Sequence, residues 1–427
     1  MAIGGVSSPL DSFVVAESSV LRTNFCAEKP AHRQSAKRCM PFLDDLKNRK
    51  QNMKIGIIGG GIGGLALANC LQHFSIPYTL FEKSSQFGEV GAGIGISESA
   101  YTILKKIGLG DDIKAKGYFV EDAIIVNKDC ETIRKLPVKN GGFCIHRAEL
   151  INILSYKIDH LNVKFDAEVE SFITKKDSVE LTFKNGCSEE FDYVFACDGI
   201  NSIFRKQLFP HVKKRYSGQT IWRGIATCPL PSNYHSAYLE FWGENLRFAT
   251  IPLNKTQYYW YACKISEENI QDNKATLNAD LKNLFQKFCK EVSEVIDSTE
   301  LIIRNDMWDL EPHKEVWYKS KVVFLGDAIH ATTPNLAQGG CQAIEDAYTL
   351  SKIIHTKGFA PENFEEYYKL RNEKVNYIVK QSWNYGKISH QSNKFIEFIV
   401  KNIFKYLPNR IFEMQYQKLI DLHYLNA

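Results

Sequence analysis

The sequence predicts an α/β fold, and three stretches of the chain carry that prediction. A short strand, a glycine-rich turn and a helix follow one another in residues 54–71. Strand-like segments rich in aromatic residues fill residues 216–304, and helical patterns occupy residues 361–427. Together they indicate a Rossmann-like nucleotide-binding domain with an inserted, mainly antiparallel β-sheet domain and a C-terminal helical region.

The length and composition describe a folded protein of two or three domain-sized units. The chain has 427 residues, of which 44% are hydrophobic and 24% are charged, and its net charge is +4. So mild a positive charge argues against nucleic acid as a partner. The longest apolar runs fall far short of the roughly 20 residues that span a bilayer, so we expect no transmembrane segment.

The eleven cysteines are scattered, without a CxxC pair or the spacing of a metal site. This pattern predicts free thiols in a reducing compartment, no bound metal and a cytoplasmic location.

Residues 1–52 differ in texture from the rest of the chain. Their serines and basic residues are typical of a transit peptide or other leader, which would import the protein into an organelle. Their acidic residues argue against a transit peptide. We favour a disordered or non-native extension with Met53 as the functional start, because the first strand begins immediately after it.

The stretch Lys54–Glu82 carries a complete dinucleotide-binding pattern of strand, GxGxxG turn, helix, strand and acid. Gly59 permits the tight turn, Gly61 lets the backbone approach a pyrophosphate, and Gly64 lets helix and strand come close. Glu82 would accept hydrogen bonds from a ribose diol. A carboxylate there disfavours a 2′-phosphate, which indicates FAD or NAD rather than NADP as the tightly bound dinucleotide.

Two further features leave alternatives open. A second glycine-rich stretch, Gly88–Gly95, predicts either backbone that passes close to a flat ligand or a plain flexible loop. Arg147 lies at the predicted start of a helix, where it would either meet a phosphate or be a surface charge.

Two more strands end in aspartate, Phe191–Asp198 and Lys321–Asp327. Aspartates at the carboxyl ends of parallel strands lie at the ligand edge of an α/β sheet. After Asp327 the chain reaches Gly339-Gly340 and a helix, whose start offers free N–H groups to an anion. His330, between them, is either a base or a loop histidine satisfied by backbone; we favour the second.

The aromatic segments of residues 216–304 predict a sheet whose face walls an apolar pocket, although we expect most of these aromatics to be core. The segment Lys394–Tyr406 would either contact a membrane surface or close over the body of the protein, and we favour closure. The chain has one GxGxxG pattern, so a nicotinamide cofactor would visit transiently.

Three sequence marks resemble those of single-component FAD-dependent aromatic hydroxylases, a family that includes para-hydroxybenzoate, salicylate and urate hydroxylases and zeaxanthin epoxidase. They are Gly59–Gly64 with Glu82, the segment Asp198–Arg205, and the segment Gly326–Gly340. The resemblance covers roughly residues 53–380. It implies an FAD-binding domain in two parts, 53–215 and 305–360, with a hairpin near 120–138 that joins the substrate-binding sheet of 216–304.

The resemblance also implies roles for individual residues. At the nucleotide end, the pyrophosphate and adenosine ribose would be held by Gly59, Gly61, Gly63, Gly64, Glu82 and Lys83. Further along FAD, the implied contacts are Gly95, Arg147, Asp198 and Asp327, the last on the ribityl hydroxyls. Beside the flavin ring, the implied residues are Pro334, Ala337, Gln338, Gly339, Gly340 and Cys341. Ala337 stands where glycine is common in the family. This departure from the family's pattern bears on the geometry of the loop.

In spacing, Arg247 and Tyr259 resemble the pair that holds urate in urate hydroxylases, and they are the candidate substrate residues. The implied activity is that of an FAD-dependent monooxygenase that uses NAD(P)H and O2. It would hydroxylate or epoxidise an aromatic, heteroaromatic or polyene molecule through a flavin hydroperoxide. The alternatives are a flavin-dependent reductase or oxidase and a non-catalytic FAD-bound escort or sensor. We expect a monomer or homodimer and identify no acid–base pair.

Overall fold

The structure is a computed structural model that describes residues 53–88, 92–231, 234–390 and 394–425. The predicted leader or extension, residues 1–52, lies outside the described residues. All described residues fall within one compact unit.

A six-stranded sheet forms the nucleotide-binding half, in the order β16-β17-β10-β1-β2-β6. Its strands are β1 (Ile55–Ile58), β2 (Thr79–Phe81), β6 (Val163–Lys164), β10 (Tyr193–Ala196), β16 (Tyr318–Lys319) and β17 (Val322–Phe324). All neighbouring strands are parallel except β16 and β17. Strands β1, β10 and β17 are buried along their whole length, as their continuous apolar runs require.

An eight-stranded sheet forms the other half, in the order β15-β11-β14-β13-β12-β4-β5-β3. Its strands are β3 (Gly93–Ile96), β4 (Tyr118–Asn127), β5 (Thr132–His146), β11 (Lys214–Thr227), β12 (Ala237–Gly243), β13 (Leu246–Pro252), β14 (Gln257–Ile265) and β15 (Ile303–Leu310). Pairing is antiparallel except between β12 and β4. The chain therefore contributes strands to this sheet from both sides of residues 216–304.

A small third sheet contains β7 (Val169–Thr174), β8 (Val179–Phe183) and β9 (Ser188–Phe191). The helices before β17 are α1 (Ile62–His73), α2 (Glu98–Lys106), α3 (Gly110–Lys116), α4 (Arg147–Tyr156), α5 (Ile203–Leu208), α6 (Leu277–Leu284) and α7 (Lys290–Asp297). Single 3-10 turns lie at His160–Asn162, Pro334–Leu336 and His423–Leu425.

After β17 the chain is largely helical. The helices are α8 (Asp327–His330), α9 (Gly339–Lys357), α10 (Pro361–Ile388), α11 (Lys394–Tyr406) and α12 (Asn409–Ile420). Helix α9 packs against α1 and α2, and α10 packs against α9. Pro408 separates α11 from α12, because a proline suits the residue before a helix but not its interior. The predicted fold class is confirmed.

The expectation of free thiols is wrong at two positions. Cys130, in the turn between β4 and β5, forms a disulfide with Cys289, which precedes α7. The partners are 159 residues apart, so no local pattern pairs them. The other described cysteines are free. In the described part of the chain, no helix is both long enough and apolar enough to cross a bilayer.

Candidate functional site

A cavity of about 980 Å³ runs between the two large sheets. One wall is the edge where the parallel strands β1, β2, β10 and β17 end, and the other is a face of the eight-stranded sheet. The predicted site residues that line it are Gly59, Gly61, Gly63, Glu82, Lys83, Gly95, Arg147, Asp198, Arg247, Tyr259, Asp327, Pro334, Ala337, Gln338, Gly339 and Gly340. The cavity lies where α/β sheets bind ligands.

The glycine-rich turn contains glycines of two kinds. A Cβ on Gly64 would lie 1.9 Å from the carbonyl oxygen of Gly59, and Gly59 itself has φ +106° with its Cβ position 2.5 Å from the oxygen of Cys197. The protein's own packing thus requires both. A Cβ on Gly61 would meet no described protein atom within 4 Å, although this residue lines the cavity. Gly61 therefore borders open space in the cavity that no described protein atom occupies.

Glu82 closes the turn from the end of β2. Its Oε2 accepts a hydrogen bond from the Gly60 amide at 2.7 Å, and its Oε1 accepts one from the Ser84 amide at 2.9 Å. Each carboxylate oxygen keeps further acceptor capacity toward the cavity. The acid thus fixes the turn and also offers an acceptor where a ribose would lie.

Asp198, which follows β10, and Arg147, which follows β5, both line the cavity. Asp198 Oδ2 accepts a hydrogen bond from the Ile203 amide at 2.9 Å and so orders the start of α5, and burial raises the pKa of Asp198. Arg147 is the first residue of α4, and its amide donates to the oxygen of Ala92 at 2.8 Å. Its side chain lines the cavity, so it is not an ordinary surface charge.

Asp327 begins the short helix α8 and projects into the cavity. The carboxylate is exposed to the open cavity, yet the protein walls around it raise the pKa of Asp327, and His330, Arg147 and Arg205 partly oppose that rise. The preceding residue, Gly326, has φ +60°, which suits glycine at this sharp turn.

The interpretation of His330 as a loop histidine satisfied by backbone is wrong. Its Nε2 lies 2.6 Å from Oδ2 of Asp346, a buried carboxylate on α9. The same oxygen accepts a hydrogen bond from the Gly326 amide at 3.1 Å. Asp346 therefore holds the turn that carries Asp327.

Asp346 belongs to a buried charge cluster that the sequence analysis missed. Arg371 of α10 lies 2.8 Å from Asp346 and 2.5 Å from Glu345, and Lys374 lies 2.7 Å from Glu345. The acid pair on α9 was visible in the sequence, but its basic partners are on the next helix. Nothing local specified that pairing.

This charge cluster predicts a loss of stability in acid. Burial alone would raise the pKa of Asp346, but His330 and Arg371 outweigh it and lower the pKa to about 2. Because the pKa of Asp346 is lower in the folded protein than in the unfolded chain, where it is near 3.9, the carboxylate stabilises the folded protein at a pH above about 3.9. That stabilisation is lost as the pH falls toward 2. We expect the free energy of unfolding to fall by about 2 kcal/mol more in the native protein than in Asp346→Asn between pH 5 and 2. Urea unfolding of both proteins would measure it, and parallel pH curves would contradict it.

The loop before α9 keeps its geometry despite the alanine. Ala337 has φ +51° and ψ +33°, the left-handed conformation that favours glycine, and it therefore carries a strain of about 1–2 kcal/mol. Gln338 accepts a hydrogen bond from Nε2 of Gln342 at 3.1 Å. A Cβ on Gly340 would lie 3.0 Å from Cδ1 of Ile94, so helix and strand approach closely here.

Cys341 and Gly64 are predicted cofactor residues that do not line the cavity. The Cys341 thiol accepts a hydrogen bond from the Ser97 amide and donates one to the Gly95 oxygen, both at 3.4 Å, so it ties α9 to β3. Gly64 lies behind the turn, against Gly59.

Arg247 and Tyr259 both line the cavity, but Arg247 is already paired. Its Nε lies 2.8 Å from Oε1 of Glu240, with both side chains buried, and its Nη1 donates to Ser389 Oγ at 2.8 Å. Burial raises the pKa of Tyr259. Its ring covers Gly93, where a Cβ would lie 2.4 Å from the ring.

Tyrosines complete the surroundings of Arg247. Oε2 of Glu240 accepts hydrogen bonds from the hydroxyls of Tyr238 and Tyr385, each at 2.6 Å, and the Tyr238 and Tyr261 hydroxyls lie 2.6 Å apart. We call Tyr238, Glu240, Arg247, Tyr261 and Tyr385 the tyrosine–glutamate cluster. Polar residues at alternate positions of β12 were a usable signal for two of its members.

A second arginine faces the same part of the cavity. Arg223 of β11 lines it, and one Nη of its guanidinium donates to Oδ1 of Asn305. Its Nε is buried and has no hydrogen-bond partner among the described residues. Unlike Arg247, it has no carboxylate partner in the described part of the chain. Sequence reasoning missed Arg223, because nothing separated it from other strand arginines.

The chain is similar to known proteins over most of its length. Residues 52–381 match the family model described as "FAD binding domain". The chain is 30% identical over 370 residues to aurachin C monooxygenase/isomerase of Stigmatella aurantiaca, covering 84% of this chain and 96% of the relative. It is 26% identical to 2-heptyl-3-hydroxy-4(1H)-quinolone synthase of Pseudomonas aeruginosa, covering 86% and 97%.

A solved structure shares the fold. Klebsiella pneumoniae HpxO complexed with FAD and uric acid superposes with a TM-score of 0.78 at 24% identity, covering 87% of this chain and 97% of that one.

Proposed function

Because this chain belongs to the FAD-binding-domain family, we propose that its cavity holds FAD along the parallel-strand edge and a heteroaromatic substrate beside Arg223. The protein is an FAD-dependent monooxygenase with NAD(P)H as electron donor. The substrate and the roles of individual residues are our proposals.

The lining residues fit FAD. The turn of Gly59, Gly61 and Gly63 and the start of α1 would receive the pyrophosphate, since helix N-termini bind anions. Glu82 would accept from the ribose, and Asp327 from the ribityl hydroxyls. A Cβ on Gly61 would meet no described protein atom, and this open space supports the assignment.

The flavin ring would lie between the loop of Pro334–Gly340 and β3. When bound, FAD takes electrons from NAD(P)H and activates O2 for transfer of one oxygen atom. The start of α9 has no side-chain cap and no acidic residue in its first turn, so its free N–H groups favour negative charge nearby.

The charge balance of the outer cavity supports a substrate class. Glu240 compensates Arg247, so this arginine has little attraction left for an anionic substrate. Arg223 lines the cavity without a carboxylate partner among the described residues, so its guanidinium would donate to an oxo or hydroxyl oxygen on a ring. The surrounding Ile221, Ile251 and Tyr259 suit an apolar ring and substituent. We therefore propose an uncharged, oxygen-bearing heteroaromatic ring with an apolar substituent, as in the quinolone that names the Pseudomonas relative.

An arginine donor on the ring oxygen would also help the chemistry. Once the ring has released its N–H or O–H proton to solvent water, the guanidinium would stabilise the negative charge on that oxygen, and this charge makes the neighbouring carbon electron-rich. That carbon is then the acceptor of the oxygen atom. The observation that carries the proposal is that Arg247 is ion-paired with Glu240, whereas Arg223 lines the same cavity with no carboxylate partner among the described residues.

Turnover under ¹⁸O2 tests the proposal. With 2-heptyl-4(1H)-quinolone as probe, we expect faster NAD(P)H oxidation and a product that carries one ¹⁸O atom. Urate, as a smaller ring without an apolar chain, should not stimulate oxidation. NAD(P)H consumption that yields only hydrogen peroxide, with every quinolone tested unchanged, would contradict the substrate class.

The role of Arg223 is tested by Arg223→Gln. We expect kcat/KM for the quinolone to fall about a hundredfold, because a charge-assisted hydrogen bond contributes about 2–3 kcal/mol. FAD content should not change. Lys264→Gln is the matched control, since Lys264 lies on the opposite face of the same sheet, over Trp222. Equal kinetics for the two variants would exclude Arg223 from substrate binding.

A further inference from the structure

We propose that helix α11 is a docking surface for an anionic lipid membrane. Eight of the fifteen large hydrophobic side chains exposed in the described part of the chain lie between Ile388 and Met414. This short segment thus holds about half of these exposed side chains, whereas the others are scattered over the rest of the described chain, as is usual.

The exposed residues share one face of α11. They are Phe395, Phe398, Ile399, Ile403 and Tyr406, and we call them the α11 apolar face. At 100° per residue their positions fall within an arc of about 140°. A helix that closes over a protein body turns such a face inward. Here the exposed face points away from the body, so this face does not close over the protein.

The opposite side of α11 is anchored, so its orientation is fixed. Phe404 packs edge-on against Trp242 of β12, with ring centroids 4.9 Å apart. The buried Arg134 of β5 donates to the carbonyl oxygens of Phe404 and Lys405, at 3.0 and 3.1 Å. An arginine at a helix C-terminus satisfies its last carbonyls and complements the helix dipole. The α11 apolar face therefore points away from the sheet.

The net charge of residues 394–418 indicates which kind of partner binds the α11 apolar face. Residues 394–418 contain five basic side chains and two acidic ones. On the helical projection Lys401 and Lys405 fall together on one flank of the α11 apolar face. An apolar face with basic residues beside it is the pattern of helices that lie in the interface of membranes with anionic lipids. A second copy of this chain would bring the same positive charge against itself, which favours lipid over self-association.

The same helices border the substrate cavity. Tyr385 of α10 and Tyr416 of α12 line it, on either side of α11 in the chain. A membrane bound at the α11 apolar face would therefore lie close to the outer end of the cavity. An apolar substrate dissolved in lipid would have a short path to the site, but lipid binding does not depend on which substrate is used.

Vesicle flotation of the full-length holoprotein tests the proposal. We expect binding to vesicles of phosphatidylcholine with about a third phosphatidylglycerol, weaker binding to phosphatidylcholine alone, and about tenfold weaker binding in 0.5 M salt. The double variant Phe398→Ser/Ile403→Ser should bind at least about tenfold more weakly. The control Leu161→Ser/Ile173→Ser changes exposed residues elsewhere and should bind like the native protein.

FAD content and unfolding temperature verify that both variants are folded. No flotation of the native protein with either vesicle would overturn the proposal. So would a native dimer that becomes monomeric in the double variant without any lipid binding, because the face would then be a self-association surface. Neither result depends on monooxygenase activity, so failure here leaves the proposed function standing.

Discussion

A Gly61→Val variant is expected to purify folded but without FAD. Gly61 precedes α1 with φ −75° and ψ −173°, an extended conformation that valine adopts readily. Its Cβ would meet no described protein atom within 4 Å, so the fold should tolerate the change. The added side chain would instead occupy the cavity at the helix start, where the pyrophosphate would bind. We expect FAD affinity to fall at least about a hundredfold, or about 2.7 kcal/mol.

Gly64→Ala separates this effect from damage to the fold. Its Cβ would lie 1.9 Å from the carbonyl oxygen of Gly59, so α1 and the turn must move apart. We expect a loss of about 3 kcal/mol in the free energy of unfolding together with loss of FAD. Urea unfolding and titration with FAD would measure the two effects. A Gly61→Val protein that binds FAD like the native one would contradict the placement of the pyrophosphate.

The second large effect is expected at Arg371. Replacement by methionine keeps most of the side-chain volume but leaves Glu345 and Asp346 buried without their main counter-charge. Breaking a buried ion pair in this way costs about 3–5 kcal/mol of folding free energy. Because Asp346 also holds the Gly326 amide, the turn that carries Asp327 should loosen, and FAD should dissociate more readily.

The control for Arg371 lies on the same helix. Lys369 forms an exposed pair with Glu365 at 2.6 Å, and exposed pairs contribute little. Lys369→Met should leave urea unfolding and FAD binding unchanged. If Arg371→Met were no more destabilised than Lys369→Met, the buried cluster would not be a major source of stability.

The residues that we propose hold FAD were predictable from the sequence because the patterns that mark them are local. The strand, turn and helix of residues 54–71 each have a short-range pattern, and Gly59 and Gly64 are required by contacts within that pattern. Asp198 and Asp327 follow strands, and parallel strands bring their carboxyl ends to one edge. For this reason the fold class and the cofactor could be predicted, and both predictions are confirmed.

The sequence by itself therefore determined the fold class and the cofactor, and it predicted the edge of the sheet where we propose that the cofactor binds. Only the tertiary structure determined which charged side chains have an oppositely charged partner. Glu240 compensates Arg247, whereas Arg223 has no carboxylate partner among the described residues. His330 meets Asp346, and the α11 apolar face points outward because Arg134 anchors the other side. These outcomes depend on contacts between residues far apart in the chain, and strand register and helix packing set such contacts. The proposed substrate selection and the proposed membrane contact rest on them, so neither follows from local pattern.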